Sequence, residues 1–280
     1  MRAAVLGSPV GHSLSPVLHT AAYAALGLAG EWFYGCFECA EDGLDGFVKG
    51  CGDGWAGLSV TMPLKHEALR LADEAEPVAR DVGGANTLVF GSGRLLAFNT
   101  DVHGIAAALH EAGVERVSAA AVLGGGATAA SAVAALRDLG ADPGGVTVLA
   151  RDPARAAGAV AAGERMGMRV ATAPLAEIGA HLDTDVVVST LPAGAGDAYA
   201  EAVAGCGAAV FDVVYSPWPT ALAAASQAAG RTVVGGFPML LHQAARQVEL
   251  MTGAESAPVE AMRTAGLAEL HRRTAAGAER

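Results

Sequence analysis

The chain has 280 residues, of which 52% are hydrophobic and 17% charged, and its net charge is −11. This composition excludes a disordered chain, and the acidic balance argues against a nucleic-acid partner, because neutralising phosphates needs a basic surface. No stretch approaches the roughly 20 apolar residues of a membrane span, and the apolar run before Gly7 is too short for a secretory signal. We therefore expect a cytoplasmic α/β protein that is long enough for two domains.

The first hundred residues alternate between strand and helix patterns. Strands are predicted in RAAVLGS, EWFYGCFEC and WAGLSVTM, at 2–8, 31–39 and 55–62. Helices are predicted at 16–26, 44–50 and 65–74. NTLVF and RLLAFNT, at 86–90 and 94–100, predict a hairpin across the turn GSG, and a helix is expected at 102–111.

From residue 118 onward the pattern becomes that of repeated βαβ units. Strands are predicted at 118–124, 144–150, 169–174, 183–190, 207–215 and 232–236, and helices at 128–139, 153–167 and 220–230. This alternation predicts a mainly parallel sheet. A long helix is expected at 239–252, and a frayed polar tail at 271–280. We predict domain boundaries after residues 101 and 237.

A glycine-rich turn follows the strand at 118–124. AVLGGGATAASAV fits G-x-G-x-x-A through Gly124, Gly126 and Ala129. Backbone N–H groups at the start of the next helix would bind a pyrophosphate there, as in Rossmann-like domains. A purely structural turn is the alternative, but the strand–turn–helix context favours a dinucleotide site.

The residues at the end of the next strand indicate whether the cofactor is NAD or NADP. Twenty-six residues after Gly124, where NAD-binding proteins carry an acidic residue, this chain has Ala150 and then Arg151. A guanidinium suits a 2′-phosphate, and Arg155 could reach the same anion. Two solvated arginines are the alternative, although unpaired cations are unfavourable at a helix N-terminus. We predict NADP, with Asp152 competing for the same arginines.

Two serines precede the first helix in GSPVGHSLSPVLH. Pro16 fits the first helical position, which makes Ser15 a candidate N-cap. Ser13 has no such role, and the two hydroxyls together would bind a carboxylate. We expect His12, beside Ser13, to be structural or to lie at the rim of the site.

Lys65 stands at the start of a helix, directly after a strand that ends at Pro63. A snorkelling side chain is one interpretation, but an unpaired cation is unfavourable in the first turn of a helix. A lysine ammonium can also act as a general acid and as a local positive charge. Asp101 is a candidate N-cap for the helix at 102–111. Cys36 and Cys39 form a C-x-x-C without a second pair, so no metal site is predicted.

Seven short motifs resemble those of the shikimate dehydrogenase family: GSPVGHSLSPVLH, SVTMPLK, GGANTL, NTDVHG, VLGGGATAAS, YSPWPT and MLLHQA. They occur in the family's order and span about residues 3–255. The resemblance implies a substrate-binding catalytic domain at 1–101 and an NADP-binding Rossmann domain at 102–237. C-terminal helices at 238–270 would pack back on the substrate domain. The implied reaction is the reversible reduction of 3-dehydroshikimate to shikimate by NADPH, in chorismate and aromatic amino-acid biosynthesis.

The resemblance also implies roles for single residues. Lys65 and Asp101 would be the catalytic pair, and Ser13 and Ser15 would bind the substrate carboxylate. Further contacts to the substrate ring would come from Thr61, Asn86, Asp101, Tyr215 and Gln243. The cofactor would be held by Gly124, Gly125, Gly126, Ala127, Ala150, Arg151 and Arg155, with Val213 and Gly236 on the nicotinamide side. The expected partners are small molecules, and a homodimer is left open.

The chain departs from the family pattern around the cofactor. Ala127 replaces the last glycine of the turn, and Pro238 replaces a glycine near the nicotinamide. Ala150 and Asp152 replace the asparagine and threonine that usually flank the arginine.

Three alternatives stay open at this stage. A quinate or aminoshikimate dehydrogenase using NAD is disfavoured because position 150 is not acidic. A non-catalytic sensor is disfavoured because Lys65 and Asp101 are both present. A tetrahydrofolate-type dehydrogenase would not be expected to carry the HSLSP carboxylate site.

Overall fold

The computed structural model describes residues 1–278, and its contacts divide the chain into two units. Unit 1 contains Met1–Arg80, Gly84–Thr100 and the described residues from Leu241 onward, and unit 2 contains Asp81–Gly83 and Asp101–Leu240. The predicted boundaries after 101 and 237 therefore lie one and three residues from the observed divisions. The return of the C-terminal region to unit 1 agrees with the predicted architecture.

Unit 1 contains a mixed six-stranded sheet. Its strands are β1 (Arg2–Gly7), β2 (Phe33–Glu38), β3 (Trp55–Val60), β4 (Glu74–Ala75), β5 (Thr87–Gly91) and β6 (Arg94–Phe98). Their order is β2-β1-β3-β5-β6-β4. Strand β1 pairs in parallel with β2 and β3, whereas β5 is antiparallel to β3 and β6. The predicted hairpin is confirmed as β5–β6.

The helices of the first hundred residues follow the predictions less closely. They are α1 (Ser15–Ala25), α2 (Leu44–Lys49), α3 (Lys65–Leu71) and α4 (Pro77–Val82). The helix predicted at 65–74 was wrong at its C-terminal end, because Glu74 and Ala75 instead pair with β6. Helix α4 was not predicted.

Strands β1 and β3 end at one edge of the sheet, and the segments with Ser13, Ser15 and Thr61 follow them in the chain. The leucines Leu6, Leu58 and Leu64 are completely buried in or next to these strands. Parallel strands end at the same edge, so the segments that leave β1 and β3 begin side by side. A Cβ on Gly7 would collide with the Thr61 methyl group, so only glycine fits at the end of β1.

Unit 2 contains a second six-stranded sheet, and all its strand pairs are parallel. The strands are β7 (Ala120–Leu123), β8 (Val146–Ala150), β9 (Val170–Pro174), β10 (Val186–Ser189), β11 (Ala209–Asp212) and β12 (Val233–Val234). The order β12-β11-β10-β7-β8-β9 is that of two βαβαβ halves. The predicted Rossmann-like domain is confirmed.

The helices that follow in chain order are α5 (Thr100–Glu111), α6 (Ala127–Asp138), α7 (Ala157–Arg165), α8 (Ala200–Gly205) and α9 (Ala221–Ala228). A 3₁₀ turn at Pro153–Ala156 precedes α7, where the sequence predicted one continuous helix. Helix α8 was missed, as was the 3₁₀ helix at Leu175–His181. No described helix has both the length and the apolar character needed to cross a membrane.

The C-terminal region consists of α10 (Gly236–Thr252) and α11 (Val259–Ala278). The prediction of a frayed tail from residue 271 was wrong as far as Ala278, and residues 279 and 280 lie outside the described chain. Glu269 explains part of this, because it accepts hydrogen bonds from Arg272 and Arg273 in the next turn of α11. Hydrogen bonds from these two arginines lower the pKa of Glu269 to about 2. Helix α11 packs against α1.

Candidate active site

Ser13 and Ser15 lie at the beginning of α1. The helix begins at Ser15 with Leu14 as its N-cap, so the prediction that Ser15 is the N-cap was wrong. The Ser13 Oγ instead accepts a hydrogen bond from the Ser15 backbone N–H at 3.2 Å. Ser13 thereby takes over part of the capping role, and this bond leaves the proton of its own hydroxyl unused.

Residues 12–15 form the serine segment, and helix α11 holds its backbone. Arg273 donates from Nη1 to the carbonyl oxygen of His12 at 2.6 Å, and from Nη2 to that of Ser13 at 3.4 Å. Glu269 orients the guanidinium by accepting from its Nε at 2.7 Å. A positive charge thus lies beside the segment predicted to bind a carboxylate. The sequence prediction missed Arg273 because it treated the tail as frayed.

Thr61 and Lys65 follow the end of β3, and both are half-buried. The Thr61 N–H donates to the Leu6 carbonyl at 2.9 Å, which continues the β1–β3 pairing one residue further. Lys65 is the first residue of α3, as predicted, and its carbonyl accepts from the Ala85 N–H at 2.9 Å. The structure therefore places both side chains at the edge of the sheet from which the serine segment also leaves.

Asn86 is the centre of a buried polar cluster in unit 1. Its Oδ1 accepts from the backbone N–H of Thr100 and from the Thr87 hydroxyl, each at 2.8 Å. Its Nδ2 donates to Gln243 Oε1 at 3.0 Å and to the Thr100 hydroxyl at the same distance. Asn86 and Gln243, both predicted to contact the substrate ring, are thus brought together across 157 positions of sequence. Because Gln243 uses its oxygen here, its NH₂ group is the donor end of the pair.

Gln247 is part of the same cluster, and the sequence prediction missed it. Its side chain is buried, with 3% of the residue exposed. Its Oε1 accepts from the Ser59 hydroxyl at 2.8 Å, and its Nε2 donates to the Thr87 hydroxyl at 3.0 Å. One signal was available, because Gln243 and Gln247 are four residues apart and share a face of α10.

A buried histidine and tyrosine lie under the serine segment. His19 is 0% exposed, its Nδ1 lies 2.9 Å from the Ser15 carbonyl oxygen, and its ring stacks on Tyr34 with centroids 3.8 Å apart. Burial lowers the pKa of His19 to about 4, although the bond to Ser15 opposes the shift. Burial also raises the pKa of Tyr34 far above its ordinary value. Both rings are therefore neutral at pH 7.

The glycine turn of unit 2 contains three glycines, and the backbone conformation and the space around each of them differ. Gly124 has φ +105°, a left-handed conformation that side chains rarely adopt. A Cβ on Gly125 would lie 2.8 Å from the backbone of Arg155. A Cβ on Gly126 would meet no described atom within 4 Å, and Gly126 caps α6 without a side-chain bond. The turn therefore leaves open space in front of a helix N-terminus, which fits a pyrophosphate.

Two exposed arginines follow β8, close to this turn. Ala150 is buried at the end of the strand, whereas Arg151 and Arg155 are exposed. The Arg155 backbone touches the position of Gly125, so the arginine pair and the glycine turn are neighbours within unit 2. Asp152 caps the 3₁₀ turn by accepting from the Ala154 N–H at 3.0 Å, and its competition for the arginines stays a prediction. These residues fit the 2′-phosphate of NADP.

The predicted nicotinamide residues lie next to each other. The Val213 carbonyl occupies the space that a Cβ on Gly236 would need, so only glycine fits at the start of α10. Asp212 holds the segment between them, because its carboxylate accepts from the Val214 N–H at 3.2 Å and from the Thr220 hydroxyl at 2.7 Å. Burial raises the pKa of Asp212, although these bonds oppose the shift. Tyr215, on the same segment, is half-buried.

Asp101 lies in the first turn of α5 and is 2% exposed. The helix begins one residue earlier, at Thr100, so the prediction that Asp101 is its N-cap was wrong. Asp101 belongs to unit 2 and Lys65 to unit 1. Among the described residues, no cluster of three or more His, Cys, Asp or Glu could hold a metal ion.

The fold and the glycine turn define a two-unit α/β protein with a dinucleotide-binding domain. The family model described as the shikimate dehydrogenase substrate binding domain matches residues 5–88, and that of the shikimate 5'-dehydrogenase C-terminal domain matches residues 236–265. A shikimate dehydrogenase (NADP(+)) of Methanosarcina mazei is 36% identical over 272 residues, covering 92% of this chain and 95% of the relative. The chain belongs to the shikimate dehydrogenase family.

Solved structures agree with this assignment. The crystal structure of Mycobacterium tuberculosis shikimate dehydrogenase matches with a TM-score of 0.88 and 44% identity, covering 95% of this chain and 99% of that one. The Thermus thermophilus shikimate 5-dehydrogenase, solved in complex with NADP(H) and shikimate, matches with a TM-score of 0.82 and 34% identity. That match covers 95% of this chain and 98% of the other.

Proposed function

We propose that this chain catalyses the reversible, NADPH-dependent reduction of 3-dehydroshikimate to shikimate, a step in the biosynthesis of chorismate and aromatic amino acids. The observation that carries the proposal is the similarity over more than nine-tenths of the chain to a protein named shikimate dehydrogenase (NADP(+)). The arginines after β8 and the open space at Gly126 support NADP as the cofactor.

Lys65 is the proposed general acid. NADPH, when bound, supplies the hydride for the ketone carbon. The Lys65 ammonium would stabilise the negative charge that develops on the carbonyl oxygen and would donate the proton to it. In the oxidation direction, neutral Lys65 would accept the hydroxyl proton. Asp101 would assist by stabilising the ammonium, since a carboxylate favours the charged form of a lysine.

The substrate would be held by residues from several elements. Ser13 and Ser15 would bind the carboxylate, and Arg273 would hold the backbone of their segment in place. Thr61 and Tyr215 would bind ring substituents. Asn86 and Gln243 would bind ring hydroxyls as one unit, because their amides are already bonded to each other.

The cofactor would be held by unit 2. Gly124, Gly125, Gly126 and Ala127 would place backbone N–H groups on the pyrophosphate. Ala150 ends the strand beside the adenosine, and Arg151 and Arg155 would bind the 2′-phosphate. Val213 and Gly236 would line the nicotinamide.

The reaction is tested with purified protein by following cofactor absorbance with shikimate or quinate and with NADP+ or NAD+. We expect rapid reduction with shikimate and NADP+ and slow reduction in the other three combinations. Faster turnover with quinate or NAD+ would move the protein to another branch of the family. The absence of turnover in all four combinations would overturn the proposal.

The role of Lys65 is tested by Lys65→Met, with Lys49→Met as the matched control. Lys49 is exposed and bonds only to Asp45 in the described structure. General acid–base catalysis contributes about 100- to 10,000-fold, so kcat should fall at least about a hundredfold in Lys65→Met. The dissociation constant of shikimate, measured by calorimetry, should change little. Near-normal turnover of Lys65→Met would remove this lysine from the chemistry.

We also propose a cytoplasmic location, which the four free cysteines support because secreted proteins commonly pair theirs. Cell fractionation would test it. A homodimer stays an open expectation, and light scattering would decide between monomer and dimer.

A further inference from the structure

A continuous chain of buried hydrogen bonds crosses unit 1. It starts at the Tyr34 hydroxyl, which donates to Ser59 Oγ at 2.6 Å, and Ser59 donates to Gln247 Oε1 at 2.8 Å. On the other side, the Gln247 amide donates to Thr87, Thr87 donates to Asn86, and Asn86 donates to Gln243, at 3.0, 2.8 and 3.0 Å. All of these side chains except Gln243 are buried.

One backbone group determines the direction of the whole chain. The Thr100 backbone N–H can only donate, and it faces Asn86 Oδ1 at 2.8 Å, so the Asn86 NH₂ group must face Gln243. The Thr87 hydroxyl also faces Asn86 Oδ1 and spends its single proton there. Thr87 must then accept its next bond.

The same logic continues through Gln247. Since Thr87 accepts, the Gln247 NH₂ group faces it, and the Gln247 oxygen faces Ser59. Ser59 must donate to that oxygen, so it accepts from Tyr34. Tyr34 has then used its proton on Ser59, and its ring stacks on His19, which bonds to the Ser15 carbonyl oxygen. Tyr34 and Gln243 stand at opposite ends of this directed chain.

We propose that Gln247 is a positioning residue that holds Thr87, Asn86 and Gln243 in one hydrogen-bonding arrangement at the ring end of the substrate site. The inference rests on the proposed function, because it takes Asn86 and Gln243 as substrate contacts. Through Ser59, Gln247 also joins the ring end, where Gln243 presents N–H donors to substrate oxygens, to Tyr34 under the serine segment.

The amide of Gln247 satisfies both of its neighbours. The side chain must donate to Thr87, whose proton is already used, and must accept from Ser59, whose proton is directed to it. An ionised carboxylate could accept but not donate, and a thioether could provide neither bond of normal strength. Removing the amide would leave the buried Ser59 proton without its acceptor and Thr87 without its donor.

The decisive experiment compares Gln247→Met and Ser59→Ala with the control Gln227→Met. Gln227 is an exposed glutamine on α9 in unit 2, so its replacement repeats the chemical change away from the cluster. We would measure KM for shikimate and for NADP+, kcat, and the calorimetric dissociation constant of shikimate without cofactor. Circular dichroism would confirm that each variant is folded.

In Gln247→Met and in Ser59→Ala, KM and the dissociation constant for shikimate should each rise about tenfold. A tenfold change corresponds to losing one net hydrogen bond. KM for NADP+ should stay within about twofold of wild type, and the control should match wild type throughout. A purely structural role would only reduce the fraction of folded enzyme, which lowers kcat and leaves KM for shikimate unchanged.

The outcomes separate this inference from the function on which it rests. If the wild-type protein does not oxidise shikimate, the proposed function and this inference both fall. If wild type is active and the folded Gln247→Met enzyme keeps the wild-type KM for shikimate, this inference alone is overturned. If Gln247→Met does not fold, Ser59→Ala decides, because it removes a single hydroxyl oxygen and leaves Gln247 in place.

Discussion

The buried His19 should make unit 1 lose stability in mild acid. In the folded protein its pKa is lowered to about 4 by burial, with the Ser15 carbonyl opposing the shift, whereas the ordinary value is 6.5. Below pH 6.5 the unfolded chain therefore binds a proton that the folded chain does not bind until about pH 4. Because the unfolded state binds more protons in this window, the free energy of unfolding falls as the pH is lowered through it.

The magnitude follows from the two pKa values of His19. One pH unit corresponds to 1.36 kcal/mol, so the difference between 6.5 and about 4 is about 3 kcal/mol in total. Integrated only from pH 7 to pH 5, the loss is about 2 kcal/mol. That is a large part of the typical stability of a domain, about 5–15 kcal/mol.

The variant that removes this titration is His19→Phe. Phenylalanine retains a flat ring to stack on Tyr34 but cannot bind a proton. We expect its free energy of unfolding to fall by about 2 kcal/mol less than that of wild type between pH 7 and pH 5. The control His271→Gln removes an exposed histidine on α11 in unit 1 and should retain the wild-type fall.

The assay is urea unfolding at pH 7 and pH 5, followed by tryptophan fluorescence. Two of the three tryptophans, Trp32 and Trp55, lie in unit 1, and Trp218 lies in unit 2. Performing all measurements in a Trp218→Phe background therefore makes the signal report on unit 1. If His19→Phe loses as much stability as wild type over this range, the reasoning about the buried imidazole is refuted.

Three further predictions concern the proposed binding sites. Gly126→Ala should keep the wild-type melting temperature, because no described atom lies within 4 Å of the new Cβ, and should raise KM for NADP+, because that Cβ would enter the open space proposed for the pyrophosphate. Gly125→Ala should lower the melting temperature, because its Cβ would lie 2.8 Å from the Arg155 backbone; equal melting temperatures would contradict this. Arg273→Met should raise KM for shikimate severalfold at unchanged KM for NADP+, because the bonds to the carbonyls of His12 and Ser13 are lost. An unchanged KM for shikimate would show that α11 does not position that segment.

Local patterns in the sequence determined the order of most strands and helices and the Rossmann-like class of unit 2. Alternating apolar residues and glycine turns act over a few positions, so the β5–β6 hairpin and the strand before Gly124 could be recognised without a structure. Some errors lie at element ends, as at α3, where pairing with β6 at Glu74 and Ala75 overrides helical propensity. Others are short helices that were missed entirely, such as α4 and α8.

The residues predicted from motifs needed the tertiary structure before their surroundings could be known. The sequence indicated Ser13, Ser15, Asn86 and Gln243, but it did not show that Asn86 and Gln243 bond to each other. The capping predictions for Ser15 and Asp101 failed because α1 begins one residue and α5 two residues earlier than predicted. Cap positions are set by backbone angles, which a single sequence determines only loosely.

By itself, the sequence determined the fold class, the family and the positions of the candidate site residues, because these depend on short motifs in a fixed order. Only the tertiary structure brought Ser59 to Gln247 across 188 positions and Arg273 to His12 across 261. A polar side chain on a helix looks solvated in a sequence, and it becomes a buried partner only when a distant strand supplies its donor or acceptor. Long-range hydrogen bonds carry no local signature, so the support of the proposed site was visible only in the folded chain.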